Sequence, residues 1–126
     1  MANKTIPLEI TCFYWLPYCS TCIKAEQHLL AKGARILKYV NLKETPITPD
    51  ALEQLCHGMG GVEKLFSKRA MKYRALGLHE KTLSADEMKA HMLQEYTFIK
   101  RPVWVTADER VMAGFSAKQY DSLINA

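Results

Sequence analysis

Two cysteines three positions apart stand where a predicted strand gives way to a predicted helix, in the segment Cys19–Cys22. Residues Leu8–Tyr14 are rich in β-branched and aromatic side chains, which favours a buried strand. Apolar side chains then recur at helical spacing over Thr21–Lys32, and Gly33 supplies the stop. Because Ile36–Leu42 alternates as a second strand, the chain is predicted to open with a short βαβ unit of parallel strands.

The place of Cys19 at a predicted helix start indicates redox chemistry. Unpaired backbone N–H groups at a helix N-terminus favour a thiolate over a thiol. Lowering a thiol pKa from about 8.5 to about 7 takes roughly 2 kcal/mol, whereas an exposed helix dipole supplies only roughly 0.3–1 kcal/mol. Further donors are therefore expected, from Ser20, Thr21, the Cys22 thiol or an arginine later in the chain. Cys19 is the predicted nucleophile and Cys22 the predicted resolving thiol.

The middle of the chain, over residues 48–95, is predicted to be mainly helical. Thr48 has the character of an N-cap, and its helix is expected to end near Cys56 because glycines follow at positions 58, 60 and 61. The segment Ser84–Glu87 has the pattern of a capping box, which predicts a further helix that runs to about Glu95.

The remaining elements complete an α/β order. Val103–Thr106 and Arg110–Ala113 are predicted strands, close enough in sequence to pair antiparallel. Ser116 begins a second capping pattern and a last helix. The order βαβ, helical block, ββα predicts a thioredoxin-like domain with an enlarged middle, a single domain over residues 1–126.

Composition excludes several classes of protein. The chain has 126 residues, of which 48% are hydrophobic, and it carries no apolar run long enough for a signal peptide or a membrane span. A cytoplasmic location is therefore expected. The net charge of +4 includes a basic cluster over Lys64–Arg74, interpreted as a solvated helix face. Direct binding to nucleic acid is not expected.

The other two cysteines leave alternatives open. Cys56 and His57 could add zinc ligands to the Cys19–Cys22 pair, but adjacent ligands suit zinc poorly and a second Cys-x-x-Cys is absent. No metal site is therefore predicted. Cys12, within the first strand, is expected to be an inert buried thiol. Cys56 is expected to be structural, with a third redox cysteine as the alternative.

Several segments resemble the arsenate reductase (ArsC) family, close to its branch with Spx, MgsR and YffB. The resemblance spans nearly the whole chain, and it implies a thioredoxin-like (glutaredoxin-like) fold with an inserted helical subdomain at about residues 48–95. The matching segments are Tyr18–Ala25, Leu65–Arg69, Tyr73–Leu78, Ile99–Val103 and Gly114–Ser116.

The resemblance also implies a site. The reactive cysteine of the family falls on Cys19, the second cysteine of the Spx type on Cys22, and the arginines near the thiolate on Arg69 and Arg101. Pro102 would follow a cis peptide bond and complete, with Ser20 and Thr21, the substrate or anion site. The arsenate reductases place arginines where this chain has Ser67 and Gly114, so little activity on arsenate is expected.

The function expected on this basis is a thiol-dependent oxidoreductase that acts on a small oxidised substrate or a disulfide. It would hold no cofactor tightly and would take electrons from glutathione, thioredoxin or glutaredoxin. The alternative is an Spx-like redox-sensing regulator that binds the RNA polymerase α subunit. Gly61 matches a glycine on the contact face in that branch.

Overall fold

A five-stranded mixed sheet lies at the centre of the computed structural model, which describes residues 8–125. The first strand pairs parallel with the second and third and antiparallel with the fourth, and the fourth pairs antiparallel with the fifth. The strands are β1 (Glu9–Trp15), β2 (Arg35–Ile36), β3 (Tyr39–Asn41), β4 (Val103–Thr106) and β5 (Val111–Ala113). The helices are α1 (Ser20–Ala31), α2 (Pro49–Met59), α3 (Met71–Ala75), α4 (Ala85–Gln94) and α5 (Ala117–Ile124), with 3₁₀ turns at Val62–Lys64, Leu78–Glu80 and Tyr96–Phe98.

The predicted second strand occurs as two short strands, β2 and β3, that follow one another along the same edge of β1. The Leu37 N–H donates to the Ile10 carbonyl at 2.9 Å, and the Phe13 N–H donates to the Lys38 carbonyl at 2.8 Å. These bonds carry the pairing across the gap, so the parallel βαβ opening is confirmed.

Local capping signals set the helix starts as predicted. The Thr48 hydroxyl accepts a hydrogen bond from the Ala51 N–H at 3.2 Å. Ser84 and Glu87 exchange both bonds of a capping box. Ser116 accepts from the third residue of α5 in the same way.

The prediction that α2 ends near Cys56 is wrong, because the helix continues through Gly58 to Met59. The helix packs against β5, and a methyl group on Gly58 would lie 2.3 Å from Cγ2 of Val111. Gly58 therefore permits a close approach of helix and strand and does not break the helix. The stop comes from Gly60, whose φ of +81° belongs to the left-handed region.

Apolar side chains cover both faces of the sheet. Val103 and Val105 of β4 belong to a cluster with α2 and α4, whereas Trp104, between them, packs with Leu29 of α1 and Tyr120 of α5. Because successive side chains of a strand point to opposite faces, the sheet lies between two helical layers. The predicted α/β fold class is confirmed.

None of the helices within residues 8–125 combines the length and the apolar character needed to span a membrane.

Candidate functional site

Cys19 is the N-cap of α1. Its backbone is extended, and its Sγ lies 3.4 Å from the Cys22 backbone nitrogen, which donates to it. Burial raises the pKa of the Cys19 thiol, but the N–H and thiol of Cys22, the charge of Arg101 and the Thr21 N–H together outweigh it and lower that pKa below its ordinary value. The structure thus brings together the donors that a reactive thiolate at this position requires.

Cys22 has the opposite environment. Its side chain is completely buried, and the pKa of its thiol is raised to about 12. Burial is the largest cause, the hydrogen bond and charge of Cys19 add to it, and the Leu16 N–H opposes them. Cys19 remains partly exposed. The two cysteines are therefore chemically distinct at neutral pH, with Cys19 the stronger candidate for a thiolate.

The rate of alkylation by iodoacetamide is expected to rise with pH earlier for Cys19 than for any other thiol of this chain. The thiolate is the reacting form, the pKa of Cys19 is lowered, and burial raises the pKa values of Cys12, Cys22 and Cys56. Peptide mapping of protein labelled at a series of pH values measures this order. Labelling of Cys12 or Cys56 ahead of Cys19 below neutral pH would contradict the assignment.

Arg101 is held beside the cysteine by the backbone. Its Nη1 donates to the Ile99 carbonyl at 3.1 Å and to the Tyr96 carbonyl at 3.4 Å. The peptide bond between Arg101 and Pro102 is cis, as predicted. Because two carbonyls hold Nη1, the guanidinium group is fixed in a position from which its charge lowers the pKa of Cys19.

A backbone pairing between distant segments forms part of the cleft. Phe66 and Ile99 form an antiparallel bridge. On either side of it, the Ser67 N–H donates to the Phe98 carbonyl at 2.7 Å and the Lys100 N–H donates to the Leu65 carbonyl at 2.9 Å. This pairing brings the chain around Arg69 to the same cleft as Arg101.

The cleft has a volume of about 590 Å³. Of the predicted site residues, it brings together Cys19, Thr21, Arg69 and Arg101, and Ser67 and Gly114 also line it. Ser20 and Pro102, which were predicted to belong to the site, are not among its lining residues; Ser20 is exposed and Pro102 is buried. The lining consists of Cys19, Thr21, Glu63, Phe66, Ser67, Lys68, Arg69, Ile99, Lys100, Arg101, Gly114 and Phe115.

Sequence reasoning missed part of this lining. Lys100 and Phe115 lie inside segments that resemble the family, but they were given no role in the site. Glu63 lies outside those segments, between the glycines and the basic cluster, and nothing in the sequence linked it to Cys19. Lys68 lies in the family-like segment Leu65–Arg69 and in the basic cluster, but it too was given no role in the site. The four cations against the single carboxylate of Glu63 make the cleft suited to anionic groups.

Gly61 lies apart from Cys19, in a second cleft of about 570 Å³ that Cys56 and His57 also line. Its φ is +153°, and a Cβ there would lie 2.3 Å from Oε1 of Glu63. The positive φ therefore favours a glycine at this position, whereas the exposed Glu63 side chain can move away from a Cβ. Cys56 and His57 do not line the cleft of Cys19, and burial raises the pKa of the Cys56 thiol.

Cys12 is half-buried and not enclosed in the core as predicted. It lies in β1, on the same face of the strand as Tyr14. Burial still raises the pKa of its thiol. The register of β1 against β4 shifts between Ile10 and Cys12. Cys12 therefore does not lie on the face of the sheet that a strict alternation of side chains would assign to it.

Comparison with known proteins places the chain in a family. A protein of Bacillus subtilis, YusI, is 36% identical over 86% of this chain and 93% of its own length. The arsenate reductase of Yersinia enterocolitica is 41% identical over 84% of this chain and 70% of its own length. The solved structure of the arsenate reductase of Vibrio cholerae has the same fold, with a TM-score of 0.78 at 22% identity over 93% of this chain and 98% of that one. The model of the ArsC family matches residues 14–123, and this chain therefore belongs to the ArsC family.

Proposed function

We propose that this protein is an arsenate-reductase-like thiol oxidoreductase that uses Cys19 as its nucleophile and Cys22 as its resolving thiol. The observation that carries the proposal is the position of Cys19 as the N-cap of α1, partly exposed in a cationic cleft and with a lowered pKa. Thiolate fraction and access together control the reactivity of a cysteine.

The first step is attack by the Cys19 thiolate on one sulfur of a disulfide. A bond forms between Cys19 and that sulfur, the original S–S bond breaks, and the second sulfur leaves as a thiolate. Arg69 and Arg101 would bind a carboxylate or other anionic group of the substrate. The energetic benefit comes from the charge-assisted hydrogen bonds that such groups accept.

In the second step, Cys22 would displace the reduced substrate. Cys22 must first lose its proton, and burial opposes this loss. However, the hydrogen bond and negative charge of Cys19 also raise the pKa of Cys22, and both disappear once Cys19 is in a mixed disulfide. Formation of the intermediate therefore activates the resolving thiol. The product is a Cys19–Cys22 disulfide, which glutathione, glutaredoxin or thioredoxin would reduce; no tightly bound cofactor is required.

Oxidation of the protein with 2-hydroxyethyl disulfide is the direct test. We expect a loss of two mass units on oxidation, and a digest in which Cys19 is joined to Cys22, because side chains at a helix N-cap and three residues further lie on one face. The Cys22→Ala variant should instead gain one mercaptoethanol group on Cys19. A disulfide between Cys19 and Cys56 would contradict the role of Cys22.

Binding of the RNA polymerase α subunit at Gly61 stays a prediction. A Gly61→Arg change would displace Glu63 and strain a backbone with φ of +153°, whether or not a partner binds there. A binding experiment on this alternative needs a variant at an exposed neighbour, such as His57.

A further inference from the structure

Two large, exposed side chains lie close in sequence to residues that line the Cys19 cleft. Tyr18 directly precedes Cys19 and is 64% exposed, and Met71, two residues beyond Arg69, is 91% exposed. Neither residue lines the cleft itself. A ligand confined to the cleft would therefore leave both of them in water. Exposed apolar side chains do not stabilise the fold, and a cluster of them is typical of a surface that binds a partner.

Contacts within the chain tie the segments that carry these two residues to the cleft. The Tyr96 carbonyl accepts from Nη1 of Arg101, which lines the cleft, at 3.4 Å, and Tyr18 directly precedes Cys19. Glu95, the neighbour of Tyr96, accepts from Nζ of Lys72 at 2.7 Å, and Lys72 follows Met71 in α3. We call this surface, made of Tyr18, Met71, Lys72 and Tyr96, the rim.

The charge beside the rim is positive. Lys68, Arg69 and Lys100 stand at the cleft, and Arg74 lies exposed on α3. Of the two acidic side chains in this region, Glu95 is already paired with Lys72. The other, Glu63, is the single carboxylate among the residues that line the cleft. A surface that binds here must bring negative charge around an apolar centre.

We propose that the disulfide attacked by Cys19 is carried by a protein whose surface around that disulfide is acidic with apolar side chains at its centre, and that this surface docks on the rim. The inference rests on the proposed function of Cys19 as a nucleophile. The Cys19 thiolate bonds to one sulfur of the partner, the other partner sulfur leaves as a thiolate, and Cys22 then releases the reduced partner. The partner gains two electrons, and the Cys19–Cys22 pair loses two.

The test uses two synthetic peptides as probes, Glu-Leu-Cys-Leu-Glu and Lys-Leu-Cys-Leu-Lys, each with its cysteine in a mixed disulfide with 5-thio-2-nitrobenzoate. Attack by Cys19 on the peptide sulfur releases the yellow thiolate, which is followed by stopped flow. We expect the acidic peptide to react about tenfold faster at low salt, because complementary charge raises encounter rates by that order, and the ratio should fall as salt rises.

Variants at exposed apolar positions distinguish an effect of the rim on the peptide preference from an effect of the protein's net charge. In Met71→Glu the preference for the acidic peptide should fall to about one, whereas Met71→Leu should keep it. Leu37→Glu, at a residue 53% exposed near the β2–β3 edge, carries the same charge change and should also keep it. All variants should react with neutral 2-hydroxyethyl disulfide at the wild-type rate.

Equal rates for the two peptides, or a preference that survives in Met71→Glu, would overturn the docking proposal while leaving the nucleophile intact. Failure of the wild type to react with 2-hydroxyethyl disulfide would overturn the proposed function and, with it, the docking proposal. The neutral disulfide thus tells the two failures apart.

Discussion

Replacing Cys19 by serine is expected to reduce thiol–disulfide exchange below about a hundredth of the wild-type rate. Serine lacks an accessible anion at neutral pH, and the remaining thiols are poor substitutes because burial raises their pKa values. Cys22 is completely buried, and burial, the largest cause of its raised pKa, remains when Cys19 is replaced. Release of thionitrobenzoate from Ellman's reagent measures the rate.

The Cys19→Ser variant should fold normally, since serine is among the preferred N-cap residues and its hydroxyl can accept from the Cys22 N–H as the sulfur does. Thermal unfolding provides that control. For Cys22, alanine is the better replacement, because an unpaired hydroxyl at this completely buried position costs about 1–3 kcal/mol. Cys22→Ala should retain the first step and stall at the mixed disulfide. Undiminished exchange in Cys19→Ser would show that another thiol is the nucleophile.

Arsenate reduction by the wild type, assayed with glutathione and glutaredoxin, is expected to lie about two to four powers of ten below that of an enzyme with the full arginine set. The cleft has Ser67 and Gly114 where arsenate reductases are expected to have arginines, and each charge-assisted contact contributes about 1.5–3 kcal/mol. Arg69 and Arg101 line the same cleft and supply the remaining positive charge.

Restoring the two arginines should not succeed equally. Ser67→Arg places a new donor in the cleft and removes only a hydrogen bond of 3.3 Å from the Arg69 N–H to the Ser67 hydroxyl. Gly114 has open space at its Cβ position but a φ of +76°, which costs a non-glycine residue about 1–2 kcal/mol. We therefore expect Ser67→Arg to raise kcat/KM for arsenate and Gly114→Arg to lower the melting temperature. Robust, saturable arsenate reduction by the wild type, lost in Cys19→Ser, would contradict this view of the site.

The sequence by itself determined the features that depend on neighbours along the chain. A strand, a loop and a helix start fix Cys19 at an N-cap, and the hydroxyls of Thr48 and Ser84 find their partners within three residues. The β4–β5 hairpin was predicted for the same reason, since its strands are separated by a short turn. Such hydrogen bonds are read from spacing because their geometry follows from the local backbone.

Only the tertiary structure decided which residues surround the sulfur. The cleft depends on the bridge between Phe66 and Ile99, which are far apart in sequence. This bridge also brings Lys68 and Lys100 into the cleft that Cys19 lines. Gly58 is a second example. The sequence does not distinguish a glycine that ends a helix from one that lets a strand pack closely against it, and here the nearby Val111 side chain shows that the second case holds. Pairing between distant segments is selected by packing of the whole core, and no local propensity encodes it.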